Sequence, residues 1–443
     1  MTTLLPAGGA VVADANRAEL RLVIAGSVDD GKSTLVGRLL HDTKSILADQ
    51  FEAIEDVSRR RGSGEVDLAL LTDGLRAERE QGITIDVAYR YFSTPKRSFV
   101  LADTPGHTQY TRNTVTGAST AQAAVVLVDA RNGVSAQTRR HAAVMALLRV
   151  PYVVFAVNKM DAVGWDEARF DEVAAQIRTT GERLGVKGLQ IVPVSALTGQ
   201  NVAGGGDGDP AGAWYTGPSL LDVLEGLDDR RADILAPFRL PVQLVLRPRT
   251  AEHPDYRGLA GRVASGTVRV GDRVVAQPGG LASVVTGIDS PAGPLQEVSA
   301  GQSVTLLLAD ELDIGRGQVI AHPGEEPQVI DTLTGVVCWL SERPSTSRQR
   351  VLVKVGTKVV RGFIVTVGEY WDVDAQEWVA SVGQARLNDI TRFVIRLSEQ
   401  VAVDDYYDDR ATGGFLVIDP ATGATLAAGM VGDPLTRAFD PSI

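Results

Sequence analysis

The chain has 443 residues, of which 44% are apolar and 22% charged, and its formal net charge is −11. This composition is typical of a folded protein of about three domains. The net negative charge argues against broad, non-specific nucleic-acid binding, which needs clustered Lys and Arg, but it leaves room for a local basic patch; we expect no nucleic-acid partner. The one cysteine, Cys338, excludes a disulfide framework and a Cys-ligated zinc site. It favours a reducing, cytoplasmic location, with Cys338 as a small buried residue in a strand.

No segment is suited to crossing a membrane or directing secretion. Asp14, Arg17 and Glu19 interrupt the apolar residues near the start of the chain. No run of about 18 apolar residues occurs anywhere, so we expect no membrane association. Residues 1–19 are predicted to form a flexible N-terminal arm.

Strands alternate with helices through the first half of the chain. Short apolar runs predict buried strands, and apolar residues on one side of a segment predict helices. The predicted strands are Arg21–Ala25, Ser98–Ala102, Ala123–Val128, Tyr152–Val157 and Leu189–Val194. The predicted helices are Lys32–Leu40, Gln137–Leu148, Glu167–Leu184 and a last one within Trp214–Leu227, capped near Ser219. This alternation predicts an α/β domain over residues 20–232, with a doubly wound, mostly parallel sheet.

Two stretches of this domain do not follow the alternation. Ile46–Gln81 is polar, with three arginines at its middle, and we interpret it as two helical pieces joined by a mobile segment. Gly204–Gly208 is all glycine apart from Asp207 and predicts a flexible surface loop.

From about Leu235 onward, short β-type runs separated by Gly, Pro and Asp replace the alternation. Regular short strands with turn signals predict barrels or sandwiches. We predict two β-barrel domains, over residues 233–327 and 328–433, that meet near Pro323–Pro327. The chain is expected to fray beyond Val431, and residues 434–443 are predicted to be a tail. The runs include Val242–Leu246, Val268–Val275, Ser303–Leu308, Val351–Val355 and Phe363–Val367.

A P-loop motif, G-x-x-x-x-G-K-[ST], follows the first predicted strand and opens the first predicted helix. In this context the glycines let backbone N–H groups and the helix N-terminus wrap around phosphates. Lys32 is predicted to reach the β- and γ-phosphates, and the Ser33 hydroxyl to ligate Mg²⁺. The motif and the residue after it are Gly26, Ser27, Val28, Asp29, Asp30, Gly31, Lys32, Ser33 and Thr34.

A second motif follows the strand Ser98–Ala102. Its carboxylate, Asp103, is expected to hold Mg²⁺, and the Gly106 N–H to bind the γ-phosphate. His107 would lie beside the attacking water, either as a base or to position that water, and we favour positioning. The motif consists of Asp103, Thr104, Pro105, Gly106 and His107. Thr84, in a Gly-Ile-Thr-Ile segment, is a candidate second Mg²⁺ ligand, although alone it would be an ordinary strand threonine.

A third motif follows the strand Tyr152–Val157 and predicts selection of GTP. The Asp161 carboxylate can accept hydrogen bonds from guanine N1–H and the 2-amino group, and adenine offers neither donor there. Lys159 would lie over the base. The motif consists of Asn158, Lys159, Met160 and Asp161. A weaker segment after the last strand would support the base through backbone N–H groups, and it consists of Ser195, Ala196 and Leu197.

With these motifs the sequence resembles the translation-factor class of GTPases, and the order of its parts is similar to that of elongation factor Tu. It resembles more closely the large, GTPase subunit of heterodimeric bacterial sulfate adenylyltransferase (ATP sulfurylase). In elongation factors an Asp-His pair is typical at the position of Asp29 and Asp30. The segments that carry the closer resemblance are Gly26–Gln50, Leu71–Asp86, Trp214–Pro218, Arg247–Gly261 and Thr412–Phe415.

The resemblance implies a division of labour between two subunits. A catalytic small subunit would bind ATP and sulfate and form adenosine 5′-phosphosulfate and pyrophosphate, while this chain would bind GTP and Mg²⁺ and couple GTP hydrolysis to that step. Thr84 and Gly106 would sense the γ-phosphate. No H-x-G-H nucleotidylyltransferase motif occurs in the chain, which agrees with this division.

Two other interpretations remain open from the sequence. One is an elongation-factor-like GTPase that delivers tRNA. The other is a relative that serves a dedicated sulfation pathway rather than primary sulfur assimilation.

Overall fold

The structure is a computed structural model, and it describes residues 19–46, 51, 52, 54, 68–71, 87–105, 111–186, 188–204, 213–228, 231–248, 255–381 and 383–438. The chain divides into two compact units. One comprises Met1–His141, Val150–Thr180 and Lys187–Leu227, and the other comprises Ala142–Arg149, Gly181–Val186 and Asp228–Ile443.

The first half of the described chain alternates strands and helices, as the sequence predicts. The strands are β1 (Glu19–Ala25), β2 (Ala88–Ser93), β3 (Ser98–Asp103), β4 (Ala123–Asp129), β5 (Tyr152–Asn158) and β6 (Leu189–Pro193). The helices are α1 (Lys32–Asp42), α2 (Thr111–Ser119), α3 (Ala136–Leu147), α4 (Glu167–Arg183) and α5 (Leu220–Gly226). Short 3₁₀ helices cover Leu68–Leu71 and Met160–Val163.

The six strands form one sheet in the order β2-β3-β1-β4-β5-β6. All neighbours pair in parallel except β2, which runs antiparallel to β3. Every residue of β4 is buried, as expected for a central strand covered on both faces. The predicted mostly parallel α/β sheet is therefore confirmed.

Helices pack on both faces of this sheet. On one face, Leu35 and Leu39 of α1 and Leu224 of α5 share a core with Leu22 of β1. On the other face, Gly117 of α2 lies so close to the sheet that an added Cβ would stand 2.8 Å from a methyl carbon of Thr104. Ser219 caps α5 as predicted, because its side chain accepts from the Asp222 N–H in a capping box.

The strand β2 is not among the strands predicted from the sequence. This strand alternates exposed and more buried residues, with Tyr89 and Tyr91 exposed and Phe92 buried, and it lies at the edge of the sheet. An apolar run was the signal for strands, and an edge strand with one solvated face lacks that run. Most of Ile46–Gln81, and the glycine loop after Gly204, lie outside the described residues.

The second unit contains a first β-barrel after α6 (Arg231–Leu235). Its sheet has the order β7-β16-β11-β12-β15-β9-β8. Only Val242 and Gln243 separate β7 from β8 along the chain, so the two ends of the order meet and the sheet closes. The strands are β7 (Leu240–Pro241), β8 (Leu244–Leu246), β9 (Gly258–Arg262), β10 (Thr267–Arg269), β11 (Arg273–Gln277), β12 (Leu281–Ser290), β13 (Gly293–Leu295), β14 (Glu297–Ser299), β15 (Ser303–Leu308) and β16 (Val319–Ala321).

A second barrel follows, with strands in the order β18-β22-β23-β17-β21-β19-β20. Because β18 also pairs with β19, six of these strands form a complete ring. Cys338 is buried in β17 and belongs to no disulfide, as predicted. The strands are β17 (Gln328–Trp339), β18 (Arg350–Val355), β19 (Lys358–Asp372), β20 (Glu377–Val379), β21 (Ile390–Val403), β22 (Gly414–Ile418) and β23 (Thr425–Val431), with a short helix α7 (Arg410–Gly413) before β22.

The predicted order of an α/β domain and two β-barrels is confirmed, and the domain boundaries stay predictions. Two details of the predictions are wrong. The run Val268–Val275 is two strands, because the chain turns at Gly271, whose φ is +96°. The tail does not fray directly after Val431, since Asp433 caps a further helix, α8 (Pro434–Arg437), and Leu435 is buried. No helix within the described residues is long and apolar enough to span a membrane.

Candidate nucleotide-binding site

Four of the motif loops emerge from the same edge of the parallel sheet. The P-loop follows β1, the Asp103 loop follows β3, the Asn158 loop follows β5, and the Ser195 segment follows β6. Parallel strands place their carboxyl ends together, and ligands of open α/β sheets bind there. The sheet order therefore brings the four sequence motifs into one site.

The P-loop turns tightly before α1. Asp29 and Gly31 both have positive φ, +72° and +89°. A Cβ on Gly31 would stand 2.5 Å from Nδ2 of Asn158, so this position requires glycine. Helix α1 has no side-chain cap at its N-terminus, which leaves its first N–H groups to a ligand. Val28 and Asp29 are exposed, and Ser33 and Thr34 are half-buried in the first turn.

The Asp30 side chain stabilises the P-loop through a hydrogen bond within the loop. Its Oδ2 accepts a hydrogen bond from the Ser27 N–H at 2.7 Å, and the carboxylate is buried. Burial raises the pKa of Asp30 to about 6, and the nearby Asp129 charge adds to this, while the hydrogen bond from Ser27 opposes it. Asp30 thus shapes the loop rather than facing the phosphate side as a ligand.

Lys32 and Asp103 form a buried ion pair. The distance from Lys32 Nζ to Asp103 Oδ1 is 2.9 Å, and the two side chains are only 7% and 1% exposed. Next to them, the Thr104 hydroxyl donates to the Ile24 carbonyl of β1 at 2.8 Å, which fixes the end of β3 against the start of the P-loop. The residue predicted to bind phosphate and the residue predicted to hold Mg²⁺ therefore neutralise each other.

Asn158 joins three loops. Its Nδ2 donates to the Asp30 carbonyl at 2.7 Å, and its Oδ1 accepts from the Ala196 N–H at 2.9 Å. It is buried, so both groups of its amide are satisfied by backbone. The P-loop and the two base-side loops are consequently held in one arrangement by a single side chain.

Asp161 is oriented by Ser195, whose hydroxyl donates to its Oδ1 at 2.6 Å. Asp161 is half-buried, and its other carboxylate oxygen, Oδ2, can accept hydrogen bonds from a ligand. Met160 is fully buried, and Leu197 is exposed. Arg38 of α1 fixes the Ser195 segment by donating to the Ala196 carbonyl at 3.2 Å.

Lys159 spans the gap between the base-side loop and the P-loop. Its backbone is left-handed, with φ +64°, and its Nζ donates to the Asp29 carbonyl. The same Nζ lies 3.0 Å from Oδ2 of Asp129. The ammonium group is thus bound at both sides.

Asp129, at the end of β4, is a site residue that the sequence analysis missed. Burial alone would raise the pKa of Asp129, but hydrogen bonds from Arg131 and the charge of Lys159 lower it to about 2. The available signal was a carboxylate that closes a fully apolar strand, the pattern that identified Asp103 at the end of β3. Arg131 carried no sequence signal of its own.

Three of the predicted site residues cannot be placed. Gly106, His107 and Thr84 lie outside the described residues. The remaining predicted residues of the site lie at the carboxyl edge of the sheet, in the loops that follow it, or, for Lys32, Ser33 and Thr34, in the first turn of α1.

Comparisons with known proteins agree with this geometry. The Elongation factor Tu GTP binding domain family matches residues 18–233, and the GTP-eEF1A C-terminal domain-like family matches residues 332–432. These matches cover the α/β domain and the second barrel.

Relatives that align with most of this chain identify the family more closely. The bifunctional enzyme CysN/CysC of Mycobacterium tuberculosis (strain CDC 1551 / Oshkosh) is 48% identical over 413 residues, which are 93% of this chain and 67% of that protein. Sulfate adenylyltransferase subunit 1 of Vibrio vulnificus (strain CMCP6) is 46% identical over 94% of this chain and 87% of its own length. The Bacteroides fragilis (strain YCH46) subunit 1 gives the same three values. The chain therefore belongs to the sulfate adenylyltransferase subunit 1 family.

Proposed function

We propose that this chain hydrolyses GTP to drive the formation of adenosine 5′-phosphosulfate and pyrophosphate from ATP and sulfate at a catalytic small subunit. The chain is a GTPase subunit of sulfate adenylyltransferase by family. The observation that carries the GTP site is the Asn158 side chain, which ties the P-loop to both base-side loops. The single cysteine, Cys338, is in no disulfide, which suits a cytoplasmic location.

Guanine is selected by the Asp161 carboxylate. With one oxygen held by Ser195, the carboxylate is fixed in orientation and accepts from the base N1–H and 2-amino groups. ATP is rejected because its base would leave this half-buried acceptor unpaired. Lys159 packs its aliphatic carbons against the base.

Binding of the phosphates breaks the ion pair between Lys32 and Asp103. Lys32 turns to the β- and γ-phosphate oxygens, and the N–H groups at the start of α1 complete the cradle. The pair holds both side chains beside the phosphate position before the ligand arrives, so little reorganisation is needed.

The released Asp103 carboxylate and the Ser33 hydroxyl fit Mg²⁺, because both are oxygen ligands, which this ion prefers. Thr84 is the proposed second hydroxyl ligand. Bound there, Mg²⁺ supplies charge neutralisation at the phosphate oxygens.

The proposed roles in hydrolysis fall on the loop after β3. His107 positions the attacking water, and the Gly106 N–H senses the γ-phosphate together with Thr84. Loss of that phosphate releases these segments, and the change passes to the small subunit, where ATP and sulfate bind. Nucleic acid and membranes have no part in this cycle.

The test is GTP hydrolysis by the purified chain, alone and with its small subunit, with ATP and sulfate present or absent. We expect hydrolysis to rise only with the complete mixture, and adenosine 5′-phosphosulfate to form in step with phosphate release. If ribosomes or charged tRNA stimulate hydrolysis and the small subunit does not, the chain is an elongation-factor-like GTPase and the proposal is wrong.

A further inference from the structure

We propose that Asp129 is a positioning residue that holds Lys159 against the guanine nucleotide and thereby slows nucleotide release. The inference rests on the proposed GTP site. It adds the loop after β4 to the P-loop and base-side loops as a determinant of how long the nucleotide stays bound.

The Asp129 carboxylate is placed for this role. Its side chain is only 2% exposed. Oδ1 accepts from the Arg131 N–H at 2.9 Å, and Oδ2 accepts from Nη2 of Arg131 at 2.8 Å and lies 3.0 Å from Nζ of Lys159. Arg131 therefore fixes the carboxylate, and the carboxylate fixes the lysine.

The loop that directly follows Asp129 is itself anchored. Arg169 of α4 donates to the Ala130 carbonyl at 2.7 Å and to the Arg131 carbonyl at 3.0 Å. The loop cannot move away from Lys159 without breaking these bonds. The anchor of the lysine is thus part of the scaffold.

Lys159 needs such an anchor because a lysine side chain has four rotatable bonds and a strongly hydrated ammonium group. Its bond to the Asp29 carbonyl reaches the exposed rim of the P-loop. A buried, ionised partner on the opposite side keeps Nζ from turning to solvent. The aliphatic carbons then present a fixed surface to the base.

The alternative is that Asp129 serves only its own turn, in which the Asn132 and Gly133 N–H groups donate to its backbone carbonyl. Asp129→Asn separates the two roles, because an amide oxygen still accepts from the Arg131 N–H while the charge that binds Lys159 is gone. If Asp129 acts through Lys159, Asp129→Asn should not change the rate of nucleotide release further once Lys159 has been replaced.

The experiment measures release of a fluorescent GDP analogue from the full chain on addition of excess GDP. We expect Asp129→Asn and Lys159→Met each to accelerate release about tenfold, corresponding to about 1.4 kcal/mol. The double variant should release no faster than Lys159→Met alone. Asp171→Asn, at an exposed position of α4, is the matched control and should leave the rate unchanged.

A second arm repeats the measurement with a fluorescent analogue of xanthosine diphosphate. An effect through Lys159 accelerates the release of both nucleotides by the same factor, whereas an effect through Asp161 changes the ratio of the two release rates. Unchanged release in Asp129→Asn, additive rates in the double variant, or a changed ratio overturns the proposal. If the Asp129→Asn variant does not fold, the proposal is still overturned when the Lys159→Met variant releases the GDP analogue as slowly as the unaltered chain. If the unaltered chain binds no GDP analogue, the proposed GTP site itself fails.

Discussion

At the scale of single residues, the nucleotide site places similar carboxylates in different surroundings. Asp30 is buried in the P-loop with backbone N–H as its main partner, and its pKa rises to about 6. Asp129 is buried beside an arginine and a lysine, and its pKa falls to about 2. Burial raises the pKa of both carboxyl groups; it prevails at Asp30, whereas at Asp129 the hydrogen bonds from Arg131 and the charge of Lys159 outweigh it.

The raised pKa of Asp30 predicts a stability change with pH. Because the folded chain binds this proton more tightly than the unfolded chain, stability from Asp30 is present below about pH 4 and is lost as pH rises through 6. Asp30→Asn removes the buried charge and keeps an acceptor for Ser27. It should stabilise the nucleotide-free chain at pH 7.5 by about 2–3 kcal/mol, and the gain should shrink towards pH 5.

Urea unfolding of both chains at pH 7.5 and pH 5 measures this difference. Equal stability at pH 7.5 would show that the Asp30 carboxylate is not destabilised by burial. A gain that did not change with pH would assign the effect to packing.

Asp161 predicts a change of base preference. In Asp161→Asn an amide replaces the acceptor, so xanthine, which carries a carbonyl where guanine has its 2-amino group, becomes the better partner. We expect GTP affinity to fall about 100-fold and xanthosine triphosphate affinity to rise. Competition against a fluorescent GDP analogue gives both constants, and a loss for both nucleotides alike would mean that Asp161 is only structural.

The sequence predicts most of this site because each motif directly follows an apolar strand. The carboxyl ends of β1, β3 and β5 could be placed together from that pattern alone. The Asp129–Lys159 pair could not be found in this way, since Asp129 ends β4 and Lys159 follows β5, and a sequence motif contains neither the distance between two side chains nor their burial.

At the scale of elements, α1 shows how packing restricts a helix. A Cβ on Gly37 would stand 2.2 Å from the Leu68 carbonyl oxygen, so the 3₁₀ helix Leu68–Leu71 lies directly against the α1 backbone. Gly226 in α5 meets no atom within 4 Å. The same substitution therefore has opposite consequences in the two helices.

Gly37→Ala is expected to destabilise the chain by about 2 kcal/mol, because backbone must shift. Gly226→Ala should be neutral or stabilise it by up to about 1 kcal/mol, since alanine favours the helix. Thermal unfolding of the two variants measures the difference. Equal melting temperatures would show that Leu68–Leu71 does not pack on α1 in solution.

Elements with one buried face were the hardest to predict. The strand β2 is not predicted because its exposed tyrosines break the apolar run. The run Val268–Val275 is predicted as one strand instead of two because apolar residues lie on both sides of the turn at Gly271. Central strands such as β4 were predicted closely, since burial on both faces leaves only apolar residues.

At the scale of the whole molecule, a long-range ion pair within the second unit joins its two barrels. Arg239, just before β7, binds Asp404, just after β21, through two hydrogen bonds of 2.9 Å. The Thr412 hydroxyl donates to the same carboxylate at 2.6 Å. Arg239 is 5% exposed and Asp404 13%, and 165 residues separate them, which no local pattern reveals.

Arg239→Leu leaves the Asp404 carboxylate buried without its main partner. We expect a loss of about 3–5 kcal/mol in the free energy of unfolding. Arg396→Leu is the control, because its ion pair with Asp331 is about half exposed and should contribute less than about 1 kcal/mol. Calorimetry on both variants measures this, and equal losses would mean that the Arg239–Asp404 pair does not couple the barrels.

The ring of the second barrel also limits how that domain can recognise other molecules. Each of the six strands pairs with two others, so the ring has no break at which an extended peptide could be inserted between two strands. The seventh strand of the sheet, β20, lies outside the ring at the end of the strand order and pairs with β19. The closed ring can therefore contact other molecules through side chains on its outer wall and loops at its rims, and binding specificity there can change by substitution without altering a strand pairing.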